Sequence, residues 1–223
     1  MIDLMLIFEY IKSIIKRNKF ILGGVTMIRN VPIIAFEGTN ASGKTTLIYS
    51  VASRLKERGV NCEILGEPGR YSPMSEEVLL YGKGSFDLPI QTEIMAMHLV
   101  QSVRATKNTS LIIADRTPIN TLAYTYLLTK PESKRDEELI EISHRLAEIW
   151  TAYYDKIFYC QDFFNPLQDD DKIRRNDIEF KKILDSKTRE LYKQADLELV
   201  FLPKNRTLEE RTTFVLDELS SFI

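Results

Sequence analysis

Eight consecutive residues constrain the fold of this chain more than any other feature. Residues 38–45 read GTNASGKT and match the phosphate-binding pattern G-x-x-x-x-G-K-[ST] at every fixed position. An apolar run over residues 31–36 precedes them, and residues 46–55 follow with apolar side chains at helical spacing. Because this strand–loop–helix order is the context in which such a loop binds phosphate, the sequence predicts a nucleoside triphosphate site.

Each part of this loop has an expected role. The glycines let the backbone N–H groups form a nest that points at phosphate oxygens. Lys44 is expected to reach the β- and γ-phosphates, and the Thr45 hydroxyl to ligate Mg²⁺. The sequence thus predicts ATP and Mg²⁺ as cofactors. The residues expected to bind the nucleotide are Gly38, Asn40, Ala41, Ser42, Gly43, Lys44, Thr45 and Thr46.

Length, charge and cysteine content set the other limits. A chain of 223 residues with 44% apolar content suits one α/β domain with a full core. The net charge of −2 provides no electrostatic footprint for nucleic acid. Cys62 and Cys160 lie far apart beside apolar runs, which indicates reduced core thiols and a cytoplasmic location.

The N-terminal residues differ in composition from the rest. Residues 1–10 are mostly apolar, but two acidic residues interrupt the run, and it is too short to span a membrane. A helix packing on the domain or a partner, an interfacial membrane helix through residues 1–22, and an extension upstream of an alternative start at Met27 remain open. We expect a helical extension over residues 1–26, with membrane contact less favoured, and a phosphate-loop domain over residues 27–223.

Strand and helix patterns alternate after this extension, which is typical of a parallel sheet covered on both faces. We therefore expect a three-layer α/β fold of the P-loop NTPase type, with a five-stranded parallel sheet and an arginine-bearing lid. The predicted strands cover residues 31–36, 60–65, 111–114, 157–160 and 197–202. The predicted helices cover residues 46–55, 75–81, 89–107, 117–128, 136–154, 178–194 and 207–219.

Charged residues follow two of the predicted strands and are expected at one edge of the sheet. Glu37 precedes Gly38 and would either accept a proton from a substrate hydroxyl, help to organise Mg²⁺, or be a strand-end acid satisfied by the backbone. Asp115 has the position of an acid that holds Mg²⁺ or its waters. Arg116 would place donors on transferring phosphoryl oxygens, although such a pair is also common as a surface salt bridge.

Two further segments complete the predicted site. The loop over residues 67–70 reaches the same sheet edge, although such Pro/Gly loops are also ordinary turns. The charged segment over residues 169–177 is either a solvated loop or a lid whose Arg174 or Arg175 closes over the nucleotide. The helix over residues 89–107 is expected to line the acceptor pocket. The candidate catalytic residues are therefore Glu37, Lys44, Asp115, Arg116 and Arg174. The candidate acceptor-binding residues are Glu67, Arg70, Gln101 and Arg104. The candidate Mg²⁺ ligands are Thr45 and Asp115.

These blocks resemble a known superfamily in their order and spacing. FEG at 36–38, GKTT at 43–46, EPG at 67–69, DR at 115–116 and LAY at 122–124 are similar to thymidylate kinases and deoxynucleoside kinases across residues 31–220. Residues 154–174 also resemble the phosphate-loop domain of bifunctional bacterial nicotinamide riboside kinases. The resemblance implies ATP-dependent phosphoryl transfer to a nucleoside or nucleoside monophosphate, and it leaves a homodimer open.

Departures from the superfamily pattern bear on the acceptor. Asn40 stands where thymidylate kinases usually carry an acid, and Gly66 stands where they carry the arginine that grips the acceptor's monophosphate, so Arg70 or Arg104 would have to substitute. Deoxynucleoside kinases match the glutamate before the phosphate loop but tend to have Glu-Arg in place of residues 115–116. Both acceptors stay open, with the nucleoside slightly ahead. The alternative is a regulatory ATP-binding module without a small-molecule acceptor.

Overall fold

The computed structural model describes residues 31–75, 86–107, 109–162, 164, 178–220 and 222. These residues belong to one compact unit, Val31–Ile223. Three predicted features lie outside the described residues: the extension over residues 1–26, most of the short helix over residues 75–81, and the lid segment with Arg174. None of the helices in the described part of the chain combines the length and the apolarity that a membrane span requires.

Five parallel strands form a single sheet with the order β2-β3-β1-β4-β5. This architecture confirms the predicted fold class. The strands are β1 (Ile33–Glu37), β2 (Cys62–Leu65), β3 (Leu111–Asp115), β4 (Lys156–Tyr159) and β5 (Val200–Phe201). The helices are α1 (Lys44–Glu57), α2 (Leu88–Ala105), α3 (Pro118–Leu128), α4 (Lys134–Thr151), α5 (Ile178–Gln194) and α6 (Leu208–Glu218).

The position of β1 and β3 inside the sheet explains why their sequences are almost wholly apolar. Every residue of β1 and β3 is buried, as expected for parallel strands covered on both faces. Ile34 and Phe36 belong to the core that α1 and α6 complete. Because side chains alternate along a strand, Glu37 shares the other face with Ile33 and Ala35. The acid that ends β1 is thereby directed towards α3 and α5.

Strand register brings the predicted site residues to one edge. Phe36 pairs with Asp115 across β1 and β3, and Glu37 pairs with Tyr159 across β1 and β4. The carboxyl ends of these strands therefore lie side by side, and the phosphate loop emerges between them. This is the edge at which open parallel sheets bind ligands.

Most element boundaries differ from the prediction by one to three residues, and the cause of two of these differences is clear. The fifth strand was expected over residues 197–202 but contains only Val200–Phe201, because it lies at the sheet edge and pairs with β4 alone. Helix α4 begins at Lys134, since the Ser133 side chain accepts a hydrogen bond from the Asp136 N–H at 3.2 Å and caps the first turn. The helical pattern alone placed this start at residue 136.

Candidate nucleotide and phosphoryl-transfer site

The phosphate loop has a backbone that requires glycine at both ends. Gly38 has a φ of 132°, and a Cβ built on it would lie 2.5 Å from the Cys160 carbonyl oxygen. Gly43 has a φ of 77° and caps the N-terminus of α1 without a side-chain hydrogen bond. Both conformations favour glycine. Thr45 and Thr46 follow as exposed residues in the first turn of α1, where backbone N–H groups are available to an anion.

Lys44 is buried inside this loop. Its Nζ donates to the carbonyl oxygens of Gly38 at 2.8 Å and Thr39 at 2.7 Å, and to Ser42 Oγ at 3.3 Å. Burial lowers the pKa of Lys44, and the nearby charge of Arg116 lowers it further. The ammonium group is therefore a poorly solvated charge on neutral acceptors, which phosphate oxygens can replace with a better electrostatic match.

Thr45 and Asp115 form the pair expected to hold Mg²⁺. Thr45 Oγ1 donates to Asp115 Oδ2 at 3.0 Å. The other carboxylate oxygen, Asp115 Oδ1, is buried and has no hydrogen-bond partner among the described residues. Burial raises the pKa of Asp115. An unpartnered carboxylate oxygen beside a hydroxyl is a donor set that Mg²⁺ prefers, so these residues fit the ion.

Arg116 connects the phosphate loop to the loop after β2. Its backbone φ of 79° is rare for a residue with a side chain. Its Nη1 donates to Asn120 Oδ1 at 2.7 Å and to the Gly38 carbonyl at 3.3 Å, while Nη2 donates to Asn40 Oδ1. Its Nε forms an ion pair with Glu67 Oε1 at 2.7 Å. Only 3% of the Arg116 side chain is exposed, so this charge depends on these partners.

Glu67 bridges two arginines. Its Oε2 accepts a hydrogen bond from Arg70 Nε at 3.1 Å, while its Oε1 pairs with Arg116. Burial raises the pKa of Glu67, but the charges of Arg116, Lys44 and Arg70 outweigh this effect and lower it to about 2. Glu67 is therefore ionised at neutral pH. The structure thus brings together Glu67, Arg70 and Arg116, as the sequence predicted.

Glu37 is fully buried and accepts four hydrogen bonds. The Gly38 N–H and Asn120 Nδ2 donate to Oε1 at 2.8 and 2.9 Å. The hydroxyls of Thr117 and Tyr192 contact Oε2 at 3.1 and 3.2 Å. Burial raises the pKa of Glu37. Its carboxylate is thus held at the base of the phosphate loop by side chains from α5 and from the start of α3.

Gln101 and Arg104 lie on helix α2. Ile94 marks the part of α2 that packs near Gly69 of the Glu67 loop. Gln101 and Arg104 lie further along the same helix by about 10 and 15 Å, since a helix rises 1.5 Å per residue. This end of α2 leads towards the start of β3, at the amino edge of the sheet. The acceptor-binding role of these two residues stays a prediction.

Three groups of residues that lie at the site were not identified from the sequence. Thr117 and Asn120 follow the Asp115-Arg116 pair within one turn, so their distance from the strand end is the signal that could have identified them. Tyr192 reads as an ordinary apolar position of α5. Arg211 of α6 is buried and donates to the Ser42 carbonyl at 3.4 Å, although the sequence shows only a charged residue in an amphipathic helix.

Similar proteins agree with this architecture. The thymidylate kinase of Pseudomonas entomophila (strain L48) is 32% identical over 100 residues, which cover 41% of this chain and 47% of that protein. The matched part therefore spans about half the length of that relative. This likeness confirms the resemblance to thymidylate kinases.

Two solved structures share the fold. The crystal structure of thymidylate kinase from Ehrlichia chaffeensis has a TM-score of 0.55 at 22% identity, and it covers 84% of this chain and 97% of that chain. The crystal structure of NadR protein in complex with NR has a TM-score of 0.63 at 16% identity, and it covers 87% of this chain and 52% of that chain. At these identities the likeness establishes the fold.

The family assignment rests on the match to a family model. A family model described as an AAA domain matches residues 33–211, which is most of the chain. The match extends from β1 into α6 and includes the phosphate loop, Asp115, Arg116 and Arg211. The chain therefore belongs to this AAA domain family of phosphate-loop proteins.

Proposed function

We propose that this protein transfers the γ-phosphoryl group of ATP to a hydroxyl of a nucleoside or nucleoside monophosphate. The observation that carries the proposal is the meeting, at one sheet edge, of Lys44, the Thr45–Asp115 pair and the Arg116–Glu67 ion pair. The relatives support it, because two are named thymidylate kinases and the NadR structure was determined with NR.

The residues match what phosphoryl transfer requires. Enzymes accelerate this reaction by positioning the reactants and by stabilising charge on the phosphoryl oxygens. Lys44 would exchange its loop carbonyls for phosphate oxygens. Thr45 and Asp115 would hold Mg²⁺, which when bound neutralises charge on the β- and γ-phosphates. Arg116 would fix the phosphate loop against the Glu67 loop and so set the distance between donor and acceptor.

The Glu67 loop favours a nucleoside over a nucleoside monophosphate as the acceptor. A Cβ at Gly66 would lie 2.7 Å from Tyr71 Cε2 and 2.9 Å from Tyr71 Cζ. The tyrosine ring, which is 61% exposed, therefore lies against the position from which a side chain at residue 66 would extend. The two arginines beside this loop, Arg70 and Arg116, both pair with Glu67. Their charge is partly neutralised, so an acceptor phosphate would gain less from them.

A regulatory ATP-binding module is the second candidate function. It is favoured by one observation, the four hydrogen bonds that Glu37 accepts, which are also what a structural acid would make. Such a module would bind ATP but phosphorylate no small molecule. The two functions therefore differ in a measurable product.

An acceptor panel tests the proposal. The protein is incubated with ATP and Mg²⁺ and with nucleosides, nucleoside monophosphates or nicotinamide riboside, and phosphorylated products are identified by mass spectrometry. Formation of a nucleotide from one of these acceptors, absent with Lys44→Met, supports the kinase function. ATP binding without any product from the panel contradicts it and supports the regulatory module.

Glu37→Gln is expected to lower turnover by about tenfold or less, which fits a positioning role. The amide oxygen of the substituted side chain can still accept from the Gly38 N–H and Asn120, and the hydroxyls of Thr117 and Tyr192 can rotate to accept from the new amide nitrogen. A general base contributes about 10²–10⁴-fold in rate. Steady-state kinetics with the acceptor from the panel distinguish the two roles, and a loss within that higher range would assign the base role to Glu37.

Asp115→Asn is expected to raise the Mg²⁺ concentration for half-maximal turnover by about 10–100-fold, as loss of a residue that organises a metal ion does. The amide oxygen can keep the hydrogen bond from Thr45, so the loss reflects the missing charge. The matched control is Asp155→Asn, because Asp155 Oδ2 accepts from the Ile33 N–H at 2.9 Å at the start of β1, away from the site. An unchanged Mg²⁺ titration for Asp115→Asn would remove this residue from the metal site.

A further inference from the structure

A second buried arginine, Arg211 of α6, lies against the phosphate loop. Only 3% of its surface is exposed. Its Nη1 and Nη2 lie 3.2 and 3.3 Å from the position that a Cβ on Gly43 would take, and Nη2 donates to the Ser42 carbonyl at 3.4 Å. The guanidinium group therefore packs directly on the peptide that precedes α1.

The charge of Arg211 is incompletely compensated within the described part of the chain. Asp162 Oδ2 lies 3.9 Å from Nη1, and the Phe164 ring covers the guanidinium with its centroid 5.4 Å from Cζ. The buried Nε has no hydrogen-bond partner among the described residues. A dehydrated cation costs free energy unless anions or acceptors satisfy it. Arg211 is thus stabilised further by any anion that the adjacent loop binds.

The contact with Ser42 reaches the nucleotide site through one peptide unit. The Ser42 carbonyl and the Gly43 N–H belong to the same peptide, so a cation that donates to the carbonyl polarises the N–H and makes it a stronger donor. The Gly43 N–H lies at the N-terminus of α1, where phosphate binds. Phe164 also fixes the loop from this side, because its N–H donates to the Ala41 carbonyl at 2.8 Å.

We propose that Arg211 is a positioning residue for nucleotide binding, which fixes and polarises the Ser42–Gly43 peptide and thereby strengthens the hold of the loop on ATP and ADP. Asp162 is its partial counter-charge and moderates this effect. The inference rests on the proposed function only in taking ATP as the nucleotide. It predicts that removal of the arginine and removal of the carboxylate change affinity in opposite directions.

Isothermal titration calorimetry with Mg²⁺–ADP and Mg²⁺–ATP tests this inference. Arg211→Gln is expected to weaken both affinities about tenfold, or about 1.4 kcal/mol. Arg211→Lys keeps the charge and is expected to recover about half of that loss on a logarithmic scale. Asp162→Asn is expected to tighten both affinities about two- to threefold, because an uncompensated Arg211 attracts the phosphates more strongly. Its amide oxygen can still accept from the Asn205 N–H, which contacts Asp162 Oδ1 at 3.3 Å.

The matched control is Arg54→Gln. It removes the same charge from an exposed position of α1 that also contacts α6, through Glu209 at 3.2 Å, and it is expected to leave both affinities within about twofold. Unchanged affinity in Arg211→Gln, or weaker binding in Asp162→Asn, would overturn the inference. If Arg211→Gln does not fold, two other measurements test the inference. These are the nucleotide affinity of Arg211→Lys and the direction in which Asp162→Asn changes the nucleotide affinity. A wild-type protein that binds neither nucleotide would overturn the proposed function as well, whereas loss of these effects alone overturns only the role of Arg211.

Discussion

Replacing Lys44 with methionine is expected to weaken Mg²⁺–ATP binding by at least about 100-fold, the largest effect on nucleotide affinity that we predict. The ammonium group lies inside the loop on the carbonyl oxygens of Gly38 and Thr39, and no other side-chain cation among the described residues donates to both. Methionine retains the length and apolar volume of lysine, so the variant isolates the charge. Calorimetric titration of the nucleotide measures the loss.

The same substitution is expected to leave the folded protein intact. Because the pKa of Lys44 is lowered in the folded state, the fold disfavours the charged form, and removing the charge relieves that cost. The free energy of unfolding without nucleotide is therefore expected to stay within about 1 kcal/mol of the wild type or to rise. Lys56→Met, on the exposed side of α1, should change neither quantity. Wild-type affinity for ATP in Lys44→Met would show that the loop is not the nucleotide site.

The features that the sequence predicted are those whose chemistry is local. The loop over residues 38–45 carries its own strand, turn and helix signals within about twenty residues. Asp115 and Arg116 were placed correctly beside it because parallel strands end at a common edge. In both instances a short stretch of chain, read with one rule of topology, was sufficient.

The features that it did not predict depend on distant parts of the chain. Glu37 is held by Asn120 and Tyr192, which are 83 and 155 residues away in sequence, and periodicity does not show which buried positions meet. Arg211 is 169 residues from Ser42 and has the spacing of an ordinary helix charge.

Arg116→Lys is expected to lower kcat/KM for the acceptor by about 10²–10³-fold, although it preserves the charge. The planar guanidinium presents separate nitrogens to Asn40, Asn120 and Glu67, whereas a lysine has one terminal nitrogen and cannot reach all three. ATP affinity is expected to change by less than about tenfold, because Lys44 and the loop backbone remain. Steady-state kinetics with the acceptor from the panel measure both quantities.

Arg189→Lys is the matched control for this change. Arg189 also pairs with a carboxylate, Asp185 at 2.9 Å, and also packs on aromatic rings, but it is more exposed and contacts none of the site residues among the described part of the chain. Its effect on kcat/KM is expected to be less than about threefold. An equal kcat/KM for Arg116→Lys and Arg189→Lys would show that the guanidinium N–H donors of Arg116 stabilise the fold and do not contribute to the reaction.

Acid titration provides an independent check on the Arg116–Glu67 pair. Because the pKa of Glu67 is lowered from 4.5 to about 2 in the folded state, the pair contributes its full stability above about pH 4.5 and loses it as the pH falls towards 2. Glu67→Gln removes that carboxylate and is expected to flatten the fall in unfolding free energy over this window. Arg116→Gln leaves Glu67, whose side chain is only 20% exposed, without its main partner, so we expect a loss of about 3–5 kcal/mol at neutral pH. Urea denaturation across pH 2.5–7 would reveal both effects, and identical curves for wild type and Glu67→Gln would contradict the ion pair.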